Sequence, residues 1–257
     1  MTAAPEIVAA ANFNCLGSYR KLADHCADGG VRELETAVAF VSGVPIGLFN
    51  GCWAVGSTAH DVDLAIDWIV GHDVPYLVWV ESEAAGSELG EAARGRGLHQ
   101  EPWALPGMVL ARPPEPPAPA AGVKIEQIND ASLEPWLAII ANNGMPLELA
   151  QRLFPPSFVV DPDVAVFAAS LDDEPVGTSI AIRTGGVSGV YAVTTAPSAR
   201  RRGVGTAAAW AAVNAGREWG CDLVTLQATE MGFSSYVKMG FETAIRYTTF
   251  ASPEQSV

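Results

Sequence analysis

Apolar and polar residues in the second half of the chain alternate with periods that predict both strands and helices. Three apolar runs, at residues 164–171, 175–184 and 187–195, are separated by tight polar or glycine turns, which is typical of an antiparallel meander. A strand at 123–128 and helices at 132–143 and 146–154 are predicted before the meander, with Ser132 as the first helix cap. An alanine-rich helix (204–219), a strand (222–228), a short helix (233–239) and a last strand (241–250) follow it.

The first half repeats this pattern in a weaker form. Residues 36–41 and 46–55 resemble the central strands of the second half. Residues 61–71 resemble its long helix and residues 75–80 the strand after that helix. Residues 87–96 and 103–111 correspond to the remaining elements of the pattern. Asp61 and Asp63 stand at the start of the long helix of the first half. Carboxylates there occupy the positive helix end and would repel any phosphate group that approached it. The first half is therefore predicted to lack a working cofactor site.

A proline-rich segment separates the two halves. Residues 112–122 contain five prolines, which favours a stiff, extended conformation without ladder hydrogen bonds. We therefore predict a degenerate domain over residues 1–111, a linker over 112–122 and an active domain over 123–257.

The segment between the meander and the alanine-rich helix is rich in arginine and glycine. Gly203 and Gly205 can adopt conformations that let backbone N–H groups surround an anion at the positive helix end. Arg200, Arg201 and Arg202 add charge and forked hydrogen-bond donors. The sequence thus predicts a phosphate-binding turn here.

Two motifs together resemble the GCN5-related N-acetyltransferase (GNAT) family. Residues 197–205 resemble the family's Arg/Gln-x-x-Gly-x-Gly/Ala signature, and residues 236–241 resemble its Tyr-x-x-x-Gly-Phe ending. Either motif alone is weak, because short glycine patterns recur by chance. The resemblance covers residues 123–250 and implies an α/β (α+β) GNAT fold, with a mixed, mostly antiparallel sheet flanked by helices. Residues 1–111 resemble a degenerate second copy, as in tandem members such as mycothiol synthase.

The resemblance implies an acyl-CoA-dependent N-acetyltransferase that moves an acetyl group from acetyl-CoA directly to a primary amine, without a metal. Tyr236 would protonate the departing thiolate, because a phenol with a pKa near 10 remains a donor at neutral pH. Glu230 is the best-placed carboxylate to deprotonate the amine, with a water chain as the alternative. The implied coenzyme-binding residues are Val193, Thr194, Thr195, Arg200, Arg201, Arg202, Gly203, Val204, Gly205, Thr206 and Thr229.

Some features leave alternatives open. Thr229 stands where many family members carry an asparagine that contacts pantetheine. Residues 203–208 also fit the dinucleotide pattern G-x-G-x-x-A, but the preceding hairpins and the arginine triplet weigh against that fold. A non-catalytic acyl-CoA-binding or regulatory module and a mycothiol-synthase-like acetyltransferase remain alternative functions. Tyr191 is a candidate for the acceptor pocket.

Composition restricts the partners. A formal net charge of −14 disfavours nucleic acid and suits a cationic or amine-bearing substrate, with an acidic surface that only confers solubility as the alternative. We expect a small-molecule amine rather than a protein as the substrate, and a homodimer is left open. The four cysteines have no metal-binding spacing, and all four histidines precede residue 100, which argues against a His-based triad in the second half. No apolar run reaches the roughly 18 residues of a membrane span, and the N-terminus lacks a basic segment before its apolar residues, so we expect a cytoplasmic protein.

Overall fold

The computed structural model describes residues 3–253. The first half contains α1 (Pro5–His25), β1 (Gly30–Glu33), β2 (Val38–Val41), β3 (Gly51–Trp53), α2 (Ala59–Val70), β4 (Leu77–Glu81), α3 (Glu88–Gly95), β5 (His99–Gln100) and β6 (Leu105–Ala111). The second contains β7 (Val123–Gln127), α4 (Leu133–Asn142), α5 (Leu147–Leu153), α6 (Pro156–Val159), β8 (Val164–Leu171), β9 (Glu174–Thr184), β10 (Val187–Thr195), α7 (Val204–Glu218), β11 (Leu223–Gln227), α8 (Glu230–Lys238) and β12 (Glu242–Ala251).

The second half follows the hydrophobic pattern closely. Strands β8 and β10 have the predicted bounds, and the predicted meander pairs antiparallel in the order β8, β9, β10. Helix α8 begins three residues before its predicted start because the Thr229 hydroxyl accepts a hydrogen bond from the Gly232 amide (3.2 Å), which caps the helix. Ser132 precedes α4 as predicted, but its side chain does not cap that helix and instead bonds to Asn129.

One mixed, mostly antiparallel sheet of twelve strands runs through residues 3–253, in the order β1-β2-β3-β4-β12-β6-β11-β10-β9-β8-β7, with β5 beside β12. The two halves exchange their last long strands. Strand β6 of the first half lies between β11 and β12, and β12 of the second half pairs with β4. The halves therefore share a continuous hydrogen-bonded sheet, while their division at residues 112–122 stays a prediction.

Helix α1 was not predicted, and it joins the two halves. It lies against β9 and β10 of the second half and against β1 and β2 of the first. Asn14, fully buried, donates from Nδ2 to the carbonyl oxygens of Ile182 (3.0 Å) and Val187 (3.1 Å). The buried face of α1 carries small and polar residues as well as Leu22, so the apolar stripe that normally predicts a helix is weak.

The predicted strand at residues 46–55 is wrong in its first part. A 3₁₀ turn occupies Gly47–Phe49, and only Gly51–Trp53 forms β3. The cause is Asn50, a fully buried residue whose Nδ2 donates to the carbonyl oxygens of Val44 and Pro75. These hydrogen bonds fold the apolar run into a compact loop.

Helices cover both faces of the second half. Helix α7 packs on one face with Val190, Val224 and Leu226 of β10 and β11. Helices α4, α5 and α6 pack on the other face, where Trp136 is fully buried and donates its indole N–H to the carbonyl oxygen of Phe167 (3.1 Å). No helix within residues 3–253 is long and apolar enough to cross a membrane.

Candidate functional site

A gap opens between β10 and β11. The two strands pair in parallel only where Val187–Gly189 meets Leu223–Thr225. Strand β10 then continues to Thr195, with a bulge between Tyr191 and Thr194 and a left-handed φ of +48° at Ala192. The bulge increases the local bend and turns the strand away from its neighbour. Within the described chain, Val193, Thr194 and Thr195 therefore have no strand partner on the β11 side.

The start of α7 lies at the end of this free edge. Gly203 caps the helix with φ +84°, and no side chain caps it. The amides of Val204, Gly205 and Thr206 have no acceptor inside the helix, because the first-turn N–H groups point out of its end. Such free amides, with the positive helix end behind them, are the arrangement that favours an anion.

The neighbours of both glycines leave little room for a side chain. A Cβ at Gly203 would lie 2.9 Å from the Ala120 methyl of the linker. A Cβ at Gly205 would lie 3.0 Å from the Thr195 hydroxyl oxygen, so this glycine lets α7 approach the end of β10. The linker and β10 thus form two sides of the turn.

The three arginines take different positions around the turn. Arg200 donates from Nε to the Thr195 carbonyl oxygen (3.3 Å), and Arg202 pairs with Asp172 (3.0 Å) in an exposed contact. Arg201 is exposed, with a left-handed φ of +60°. Exposed ion pairs contribute little stability, so the Arg202 side chain can change partner at low cost.

Tyr236 lies on α8, which follows β11 directly. Burial raises the pKa of Tyr236 to about 12, above the ordinary tyrosine value near 10 that the sequence analysis assumed. Its ring contacts Phe241 edge to face (5.9 Å between centroids) and lies over Gly232, where a Cβ would be 2.9 Å from the ring. The Tyr236 hydroxyl bonds to no group in residues 3–253, so it is a protonated and uncommitted donor at neutral pH.

The junction between β11 and α8 is held by side chains of both halves. Thr229 caps α8, so its oxygen already accepts one hydrogen bond, and its O–H remains free to donate. Trp103 of the first half donates its indole N–H to the Ala228 carbonyl oxygen (3.4 Å), a contact that sequence analysis missed. Glu230 is exposed in the first turn of α8.

Tyr191 is not a free acceptor-pocket residue. Its hydroxyl donates to Oδ1 of Asn14 (2.7 Å), and burial raises its pKa well above the usual value. The side chain joins β10 to α1 and is fully engaged there.

The sequence argued against a His-based triad in the second half because all four histidines lie in the first half. That reasoning is wrong. His25, at the end of α1, bonds to Ser157 (3.1 Å) and to Asp161 (3.0 Å), both of the second half. Lys21 also donates to Asp161 (2.8 Å). Because the helix bridges the halves, a histidine that precedes residue 100 reaches the second half. Lys21 occupies the same carboxylate, so the cluster fastens α1 to the loop before β8.

The start of α2 in the first half, which corresponds to the start of α7, is engaged by its own side chains. Strands β3 and β4 pair in parallel over three residues, as β10 and β11 do, so strand pairing alone does not distinguish the two regions. Thr58 caps α2 by accepting from the Asp61 amide (3.2 Å), and Asp61 itself is buried and accepts from the Thr36 amide (2.7 Å). These contacts support the prediction of a silent first half.

Comparisons with known proteins agree with this geometry. Residues 126–241 match the model of the acetyltransferase (GNAT) family. The fold is similar to a GCN5-related N-acetyltransferase from Kribbella flavida (19% identity, 95% of each chain covered, TM-score 0.67). It is also similar to one from Sphaerobacter thermophilus (15% identity, 86% of this chain and 79% of that one, TM-score 0.61). No curated protein matches the chain in sequence.

A further similar structure is a tandem GNAT protein from the clavulanic acid biosynthesis pathway (13% identity, 95% of this chain and 88% of that one, TM-score 0.59). The fold is thus that of the GCN5-related acyltransferase class. Residues 126–241 form a GNAT-family acetyltransferase domain, which confirms the resemblance indicated by the two motifs. Within residues 3–253, no group of three or more His, Cys, Asp or Glu side chains is arranged to hold a metal ion.

Proposed function

We propose that this chain is an N-acyltransferase that transfers an acetyl group from acetyl-CoA directly to a primary amine of a small molecule. The observation that carries the proposal is the position of the free amides of Val204, Gly205 and Thr206 beside the open edge of β10. Coenzyme A contains a diphosphate, which those amides could bind, and an extended pantetheine arm, which could lie along β10.

The described residues fit the coenzyme. The amides at the start of α7 are donors for diphosphate oxygens, and Arg200, Arg201 and Arg202 supply positive charge around them. The backbone edge of Val193 and Thr195 can pair with the amide groups of pantetheine, as an added strand would. Thr194 lies between them, and the Thr229 O–H at the end of β11 is proposed as a further donor. Acetyl-CoA, when bound, supplies an acetyl group activated as a thioester.

Tyr236 is the proposed general acid. Burial keeps its hydroxyl protonated, and α8, which carries it, directly follows β11, the strand that borders the gap. A backbone N–H at the bulge in β10 would hold the carbonyl oxygen. Glu230 is the proposed base, either directly or through water, because it begins the same helix. The acidic protein attracts a cationic amine.

We also propose that residues 1–111 form a degenerate GNAT-like domain without a coenzyme site, joined by residues 112–122 to the active domain of residues 123–257. The Thr58 cap of α2 and the buried Asp61 support this division of labour. The first half then contributes structure, through α1 and β6, to the active half.

Thermal-shift measurements with acetyl-CoA and with nicotinamide dinucleotides test the coenzyme first. We expect the melting temperature to rise with acetyl-CoA only, because ligand binding to the folded state stabilises it. Release of free thiol with a panel of amines then tests catalysis, and Tyr236→Phe should lose turnover while it keeps its coenzyme affinity. Coenzyme binding without thiol release by any amine would favour the non-catalytic acyl-CoA-binding module instead. A melting temperature that rises with the nicotinamide dinucleotides but not with acetyl-CoA would contradict the proposal.

A further inference from the structure

The last two residues of β11 lie where β10 has already separated from it. Parallel pairing ends at Thr225, so Leu226 and Gln227 border the gap on one edge and pair with β6 on the other. Leu226 is buried in the core beneath α7. Because successive side chains point to opposite faces of a strand, Gln227 points to the face away from α7.

The side-chain amide of Gln227 is unpaired. Its Nε2 atom is buried and has no hydrogen-bond partner within residues 3–253. A buried donor without an acceptor is costly, and most buried polar groups in folded proteins are paired. The residue opposite it on β6 is Gly107, and the space that a Cβ would fill there is already occupied by Ile245 and Tyr247. No described group accepts from Nε2, so a bound ligand or a water molecule can supply the acceptor.

We propose that the Gln227 amide N–H donates a hydrogen bond to the thioester carbonyl oxygen of the acyl-coenzyme, which would make Gln227 a residue that recognises the acyl group. This inference rests on the proposed function. The phosphate turn and the β10 edge hold the far end and the arm of the coenzyme, so the thioester lies deeper in the gap, toward the point where the strands join. Gln227 lies two residues beyond the last β10–β11 pair, and its side chain is on the sheet face opposite α7.

The test separates recognition of the carbonyl from recognition of the rest of the coenzyme. Acetyl-CoA and S-ethyl-CoA have the same chain length at sulfur, but the thioether lacks the carbonyl oxygen. We would measure the Kd of both by calorimetry with the full chain. The wild type should bind acetyl-CoA about 3- to 10-fold more tightly, the range of one hydrogen bond. Gln227→Met, which keeps the length and loses the donor, should bind acetyl-CoA about 3- to 10-fold more weakly than the wild type does, with the Kd for S-ethyl-CoA unchanged.

Two further variants complete the experiment. Gln227→Leu, which also removes the donor, should weaken acetyl-CoA binding in the same way; it gives the same answer if Gln227→Met does not fold. Gln151→Leu, on an exposed surface of α5, should keep the wild-type preference. The inference is overturned if both Gln227 variants retain the preference, as they would if a water molecule satisfies Nε2. If the wild type binds neither compound, the proposed function itself fails.

Discussion

The Tyr191 hydroxyl donates to Oδ1 of Asn14 at 2.7 Å and so connects the strand that borders the gap to the helix that bridges the two halves. The same Asn14 side chain donates to Ile182 and Val187 at the β9–β10 hairpin. One buried amide therefore fixes three points of the central strands. The shape of the gap depends on a residue of the half that has no predicted site of its own.

Replacing Asn14 should cost more stability than its size suggests. Asn14→Leu leaves the Ile182 and Val187 carbonyls and the Tyr191 hydroxyl without this partner, so we expect a loss of about 2–4 kcal/mol in the free energy of unfolding. Tyr191→Phe, which removes one hydroxyl, should cost about 1 kcal/mol. Urea unfolding measures both. A loss for Asn14→Leu no larger than for Tyr191→Phe would show that the amide is not the central contact.

The second half should not fold alone as a monomer. Residues 112–257 lack β6, which pairs with β11 on one side and β12 on the other, and lack α1, which covers β9 and β10. An exposed strand edge and an uncovered sheet face should produce aggregation or strand-swapped dimers. Size-exclusion chromatography and circular dichroism test this. A cooperative, monomeric fragment would contradict it.

Asp161 should make the protein sensitive to acid. Burial alone would raise its pKa, but hydrogen bonds from Lys21 and His25 outweigh it, and the net pKa lies below the ordinary value of 3.8. A carboxyl with a lowered folded-state pKa contributes stability above its unfolded pKa, near 4, and this contribution is lost as the pH falls through the folded value.

The variant Asp161→Asn tests that pH dependence. It should lose stability at pH 6, by about 2 kcal/mol for the charge-assisted bonds, and the difference from wild type should shrink below about pH 4. Asp173→Asn, in the exposed β8–β9 turn, is the control and should change little. Denaturant unfolding at pH 6 and pH 3 gives the comparison. A difference that is the same at both pH values would refute the role of the Asp161 charge.

The turn before α7 should tolerate no side chain at Gly203. Its φ of +84° and the Ala120 methyl both oppose a Cβ, so Gly203→Ala should lose about 1–2 kcal/mol of stability or distort the turn. We expect about tenfold weaker binding of coenzyme A. Gly86→Ala, with open space around it, should leave both quantities unchanged. Calorimetry and thermal unfolding measure them; unchanged affinity in a folded Gly203→Ala would separate the turn from coenzyme binding.

Local patterns predicted much of the second half. Alternation and turn residues located β8 and β10, and the spacing of Gly203, Gly205 and Tyr236 indicated the GNAT domain that the family match confirms. These features depend on neighbours in sequence. The phosphate turn was predicted from glycine and arginine alone, and its role in coenzyme binding stays a prediction.

Other features depend on partners that are distant in sequence. Nothing in residues 105–111 indicates that this strand leaves its own half to lie between β11 and β12. The contacts of Trp103 with Ala228 and of His25 with Ser157 follow from that exchange and from the path of α1. Gln227 looks like an ordinary strand residue in sequence, and only its burial without a partner marks it.

The most direct test is a crystal structure of the protein with bound coenzyme A. We predict diphosphate oxygens within about 2.7–3.2 Å of the amide nitrogens of Val204, Gly205 and Thr206, with the pantetheine arm paired along the free edge of β10. Coenzyme bound elsewhere on the protein, with the start of α7 empty, would contradict the account.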